Sequence, residues 1–225
     1  MKNIIISGTS RGIGYESALK FAEAGHNVLA LSRNVPRELA EHSLITCLSV
    51  DLSKDQDLQK VSDFLNSTWK KVDVIIHNAG ALLLKPFVQT TTEDFEYIYK
   101  VNVFGLASLT RIALPFLSSG SHVVSISSMG AIQGSMKFAG LSAYTSSKAA
   151  VITLSELLSE EYKEHGIAFN TLAIGSVQTE MLSEAFPGYK AALTPREMAD
   201  YIFEFALNGQ KYFNGKTIQV SNSTP

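Results

Sequence analysis

A single cysteine, Cys47, excludes any internal disulfide in this chain. Its place in the apolar run Leu44-Ile45-Thr46-Cys47-Leu48 marks it as a buried core thiol. No uncharged apolar run approaches the roughly 20 residues that span a bilayer, and no charged leader with a cleavage site precedes the first strand. The expectation is a cytoplasmic protein with no membrane partner. No block of like charge occurs and the net charge is -2, which argues against nucleic acid and acidic membrane surfaces as partners. His26, His42, His122 and His165 stand at no metal-ligand spacing, so surface roles and no metal are expected. No linker-like, repeated or low-complexity stretch divides the chain. With 45% hydrophobic and 18% charged residues, its 225 residues suffice for one well-cored domain over 1–225.

What is present is a strand, a turn and a helix, repeated. Ile4-Ile5-Ile6 is a β-branched strand, and a helical pattern follows Gly14 and stops at Gly25. Asn27–Ser32, Leu44–Asp51, Val72–Ile76, Ser121–Ser127, Ile167–Ile174 and Thr217–Val220 read as six further strands. Val72–Ile76 is almost wholly apolar, as a strand buried on both faces of a parallel sheet must be. Between them, Arg33–His42 has room for a short helix with Pro36 in its first turn, and Lys54–Trp69 is amphipathic. Thr92–Leu117 reads as one long helix interrupted or ended near Pro115, and Tyr144–His165 as another. Thr194-Pro195-Arg196-Glu197 has the form of a capping box with proline at the first helical position. Seven strands alternating with helices define an α/β fold: one doubly wound, Rossmann-type domain with a mostly parallel seven-stranded sheet. Trp69 and the phenylalanines are assigned to its core.

Two stretches carry chemistry. Tyr144 and Lys148 lie four residues apart at the start of a helix-forming run, which places both side chains on one face. A free phenol has a pKa of about 10, and a cation beside it lowers that value toward neutrality. By itself such a pair is common on solvated helices. Gly8-Thr9-Ser10-Arg11-Gly12-Ile13-Gly14 joins the first strand to the first helix. Glycines there allow a tight turn and the close approach of a pyrophosphate to the helix N-terminus.

Gly8-x-x-x-Gly12-x-Gly14, His77-Asn78-Ala79-Gly80, Asn102, Ser127-Ser128 and Tyr144-x-x-x-Lys148 follow one another in that order. Together they resemble the short-chain dehydrogenase/reductase family in its single-domain form, over essentially the whole chain. The resemblance implies a nicotinamide cofactor at the carboxyl edge of the sheet. It implies Tyr144 as general acid or base, and Lys148 as the group that lowers the tyrosine pKa and binds the nicotinamide ribose. A serine ending the fifth strand would orient the substrate carbonyl; Ser128 is expected over its neighbour Ser127. Asn102 would hold a water that passes protons to Lys148. Ser10, Arg11 and Ile13 of the glycine loop, and Asp51-Leu52 at the adenine, would contact the cofactor. Asn78-Ala79-Gly80 would lie under it, while His77 is taken as structural. Val177 and the Thr179 hydroxyl would meet carboxamide and pyrophosphate. Ile174 stands where the family usually has proline, which predicts a looser nicotinamide loop.

In an NAD site of this kind a carboxylate ends the second strand. Here Ser32 and Arg33 stand there, and Arg11 lies in the glycine loop, a set that suits the 2′-phosphate of NADP(H) although either arginine singly is equally a surface charge. The segment Met129–Ser142 is longer than usual and the lid, about 180–193, is short. An open pocket lined by Met136, Phe138, Met181 and Phe186 follows. The expected function is NADP(H)-dependent reduction of a small-molecule carbonyl, reversibly alcohol oxidation, in a homodimer or homotetramer. The alternatives are a cofactor-binding sensor without catalysis, and a reductase of pterin, acyl-carrier-protein or sugar-nucleotide substrates.

Overall fold

The computed structural model describes residues 1–222. Seven parallel strands form one sheet: β1 Asn3–Ser7, β2 Asn27–Ser32, β3 Ile45–Ser49, β4 Val74–His77, β5 His122–Ser128, β6 Ala168–Ile174 and β7 Thr217–Val220. Their order is β3-β2-β1-β4-β5-β6-β7, and every described pairing is parallel. Alternation along a strand sends successive side chains to opposite faces. Ile4 and Ile6 therefore enter one buried cluster and Ile5 the other. The first cluster meets α1 (Gly12–Glu23) and α8 (Pro195–Asn208) through Phe21, Ile202 and Phe205. The second meets α3 (Asp55–Ser67) and α5 (Gly105–Ala113) through Leu58, Val61, Leu65 and Leu109. The remaining helices are α2 (Arg37–Ala40), α4 (Thr92–Tyr99), α6 (Ser142–Glu161) and α7 (Glu180–Ala185).

The chain reverses its progress across the sheet between β1 and β4. In open α/β sheets that switch point is where ligands bind, because the loops leaving two adjacent strands diverge there. The glycine loop leaves β1 and Asn78-Ala79-Gly80 leaves β4. The fold thus brings the two stretches together.

Four expectations are corrected by packing. The run Thr92–Leu117 is interrupted by a π-helical turn over Lys100–Phe104 as well as near Pro115, which sits in a 3-10 turn. Periodicity does not reveal the π turn, because one extra residue per turn leaves the apolar pattern nearly intact. His122 is fully buried rather than superficial: its Nδ1 meets the Ala206 carbonyl at 3.0 Å and its Nε2 the Asn170 amide at 2.9 Å. Cys47 is only half-buried, because β3 is an edge strand, and Phe87, Phe104, Phe138 and Phe213 are exposed although Trp69 is buried. The capping box of Thr194 and Glu197 is present. Among the described residues, no helix is long and apolar enough to cross a membrane.

Candidate active site

The glycine loop is built so tightly that Gly8 and Gly14 have no room for a side chain. Gly8 and Gly12 have φ of +77° and +59°. A Cβ on Gly14 would stand 2.2 Å from the Gly8 carbonyl oxygen and 2.4 Å from Asn78 Nδ2. Asn78 donates its amide to the Ser7 and Gly8 carbonyls at 3.2 and 3.1 Å, tying the end of β4 to the loop. The Ala79 amide donates to the Ser7 hydroxyl at 3.1 Å, completing the tie. Ile13 is buried beneath, and Ser10 and Arg11 face outward. No side chain caps the N-terminus of α1 and its first turn carries no acid. Its first amides are therefore left for an anion.

Tyr144 and Lys148 lie one turn apart on α6, and Ser128 ends β5. The Lys148 ammonium sits 5.9 Å from the centre of the Tyr144 ring and donates to the Ile126 carbonyl at 2.8 Å. Enclosure by protein atoms pushes the phenol up to about 12, and its hydrogen bond with Ser128 opposes that rise. The same enclosure lowers the Lys148 ammonium to about 8. The spacing leads one to expect a phenol lowered by Lys148; here desolvation raises it, and the opposing contribution comes from Ser128. Of the competing serines, Ser128 meets the phenol, whereas Ser127 is buried and donates to the Lys148 backbone carbonyl at 2.8 Å. Strand alternation separates them.

Asn102 lies in the π turn and is buried. Its Oδ1 accepts from the Ala81 amide at 2.7 Å, and its Nδ2 donates to the Ala81 carbonyl at 3.0 Å and to Ser147 Oγ at 2.9 Å. Both amide hydrogens are committed, and the side chain positions the Ala81 segment. Gly80 completes this layer: a Cβ there would stand 3.3 Å from Lys148 Nζ. His77 is buried with Nε2 at 2.9 Å from Thr110 Oγ1, and burial lowers its pKa to about 3, a neutral structural imidazole.

The other expected contacts are distributed along the sheet edge. The Ser32 hydroxyl donates to the Asn34 carbonyl at 2.7 Å, and Arg33 is exposed. Burial opposes the charge of Asp51, but Ser53, bonded to it through hydroxyl and amide, and the nearby Arg33 hold its carboxyl below the ordinary range. Leu52 turns to Gly105 of α5 and lines a groove with Glu96, Lys100 and Phe104, so its side chain serves packing there. Val177 is buried and bridges to Leu193. The Thr179 hydroxyl accepts from the Leu182 amide at 3.2 Å as the cap of α7, and its methyl faces Gly12. The loop after β6 is not loose despite Ile174. The Gly175 amide donates to Val220, Gln178 to Leu193, and the Gln178 side chain holds Ser183 and the Ala191 amide.

Sequence reasoning missed the carboxylates of the lid. Arg11 forks onto Glu184 of α7 at 2.5 and 2.9 Å, and Glu180 lies against Gly12. The i, i+4 spacing of the two acids was visible, but their partner is 173 residues away. It also missed Ser147, which accepts from Asn102 and donates to the Tyr144 carbonyl at 2.7 Å.

Fold and site together define a doubly wound α/β protein with a buried lysine, and a half-buried tyrosine and serine, beside a glycine loop. The family model for short chain dehydrogenase matches residues 2–190. A 7alpha-hydroxysteroid dehydrogenase of Escherichia coli strain K12 is 31% identical, over 86% of this chain and 75% of its own length. A 3beta-hydroxysteroid dehydrogenase of Eggerthella lenta is 27% identical over 96% and 92%. A solved 4-hydroxyisoleucine dehydrogenase complexed with NADH superposes with a TM-score of 0.89 at 21% identity, covering 99% of this chain and 98% of its own. The chain belongs to the short chain dehydrogenase family, and it is an oxidoreductase.

Proposed function

We propose that the protein uses NADP(H) to reduce a small-molecule carbonyl to an alcohol, reversibly, with Tyr144 as general acid and base. The observation that carries this reading is the half-buried phenol of Tyr144, set against Ser128 with the Lys148 ammonium 5.9 Å from its ring centre. That two relatives are named hydroxysteroid dehydrogenases supports an alcohol and carbonyl pair as the reacting groups.

The residues fit a dinucleotide. The cradle of Gly8, Gly12 and Gly14 is one that a Cβ would fill, and the α1 amides beside it are uncapped. Ser32 and Arg33 at the end of β2, with no carboxylate, favour a 2′-phosphate over a bare ribose hydroxyl. Asn78, Ala79 and Gly80 form the floor, and Val177 and Thr179 the side nearest α7.

A reduced nicotinamide, when bound, supplies hydride to the carbonyl carbon. Tyr144 then gives its phenolic proton to the carbonyl oxygen, while the Ser128 hydroxyl donates to the same oxygen and fixes its position. The phenolate left on Tyr144 is stabilised by the Lys148 ammonium. In the oxidative direction the phenolate takes the alcohol proton. Asn102 keeps the Ala81 segment and Ser147 in place beneath this centre.

Replacing Tyr144 by Phe is expected to lower turnover at least about 100-fold while leaving NADPH binding intact. Turnover within a few-fold of wild type would refute the mechanism. Equal dissociation constants for NADPH and NADH would refute the cofactor assignment. The same reading takes the protein as a homodimer or homotetramer.

A further inference from the structure

Two acids four residues apart on one face of a six-residue helix repel each other, and α7 carries Glu180 and Glu184 in that arrangement. Both are turned toward the loop that is built for anions. Glu184 grips both Arg11 nitrogens, and the Glu180 carboxylate would lie 3.4 Å from a Cβ on Gly12. Arg11 is the N-cap residue of α1, so the guanidinium and the positive end of the helix offset the repulsion. The short lid is anchored here by charge, for its residues are exposed or half-buried and it has no buried side chain of its own.

Taking as given the reading of this loop as the NADP(H) cradle, we propose that Glu184 tempers cofactor choice by competing with the 2′-phosphate for Arg11. The end-on fork of the Arg11 guanidinium, between its two terminal nitrogens, is already filled by the Glu184 carboxylate. A 2′-phosphate must displace Glu184 to take that fork, and it meets the second acid, Glu180, beside the same loop. A nucleotide with a plain ribose hydroxyl makes no demand on the guanidinium and leaves the contact in place. Glu184 therefore narrows the preference for NADP(H) that Arg11 and Arg33 create. Arg33, which follows β2 with Asp51 nearby, is the second cation of the set.

The contact is solvent-exposed, with side chains 46% and 61% accessible, so its removal has a modest effect. An exposed pair of this kind corresponds to about a three- to five-fold change in a binding constant. NADPH and NADH dissociation constants are measured by nucleotide fluorescence for wild type, Glu184→Gln, Arg11→Gln and the double variant, with circular dichroism confirming the fold. Glu184→Gln is expected to tighten NADPH about three- to five-fold and leave NADH within about two-fold. In the Arg11→Gln background the gain is expected to vanish, since the two residues act on one another. An unchanged NADPH constant, an equal change for both nucleotides, or a gain that survives Arg11→Gln would overturn the proposal. Binding of neither nucleotide by wild type would instead remove the cofactor reading, and this inference with it.

Discussion

Lys148 holds its charge at a cost. Its side chain is buried and has one carbonyl partner, the oxygen of Ile126 at 2.8 Å. The unfolded chain keeps the proton up to the ordinary 10.5, whereas the folded chain loses it near 8. Between those values the unfolded state binds more protons, so stability rises with pH across that window. At pH 7 the buried ammonium costs on the order of 3 kcal/mol. Lys148→Met removes that cost and leaves the Ile126 carbonyl unpaired, at about 1–2 kcal/mol. The variant is expected to be more stable than wild type by about 1–2 kcal/mol at pH 7 in urea unfolding. The advantage should close as pH approaches 10.5; a variant less stable at pH 7 would contradict this account. Under the proposed mechanism the same group should set a limb of the rate profile. As Lys148 loses its proton above about pH 8, the phenolate left on Tyr144 loses its counter-charge, and carbonyl reduction should slow. Lys148→Met should lack that limb, seen as a flat kcat between pH 7 and 9.

At the scale of elements, the π turn over Lys100–Phe104 is what brings Asn102 to the site. An extra residue in the turn re-aims one side chain without moving the helix off the sheet. Gly105 follows it because the chain passes close by there: a Cβ would stand 2.7 Å from Leu52 Cβ. Asn102→Ala strips the Ala81 amide and carbonyl of their partners, a loss of about 2–3 kcal/mol. For a chain of this size the melting temperature should fall by roughly 4–10 °C, measured by differential scanning calorimetry. These elements also mark where the sequence stops being readable. Val74–His77 and Asn3–Ser7 are apolar runs bounded by turns, so strands and parallel sheet follow from local pattern. The glycine loop and the Tyr144–Lys148 pair follow from short spacings. The π turn does not, because one extra residue leaves the apolar pattern nearly intact, and the partner that Asn102 meets there, the Ala81 amide, is 21 residues away. Nor does the burial of His122, whose partners come from residues 170 and 206. The capping role of Thr179 is equally hidden, because α7 is a helix too short to announce itself.

At the scale of the whole molecule, the helices that carry the site also carry unburied apolar side chains. Tyr97 on α4, Phe104 in the π turn and Leu157 on α6 are 50%, 58% and 61% exposed. α4 packs on α6, so these side chains belong to neighbouring helices on one side of the sheet. Their other sides hold Asn102, Tyr144 and Lys148. An oligomer that covered the outer faces would bury the aromatics and clamp the helices that position the proton-transfer groups. Burial at about 25 cal/mol per Å² makes such side chains the natural centre of a two-fold contact. Sedimentation velocity at micromolar concentration is expected to give a dimer or tetramer. Introducing Phe104→Glu together with Leu157→Glu places charges where an interface would have to desolvate them, and the protein should sediment as a monomer. A wild-type monomer at that concentration would refute the assembly. If the double variant is a monomer yet keeps full turnover, the outer faces serve association alone, and the positions of Tyr144 and Lys148 are set entirely within one chain.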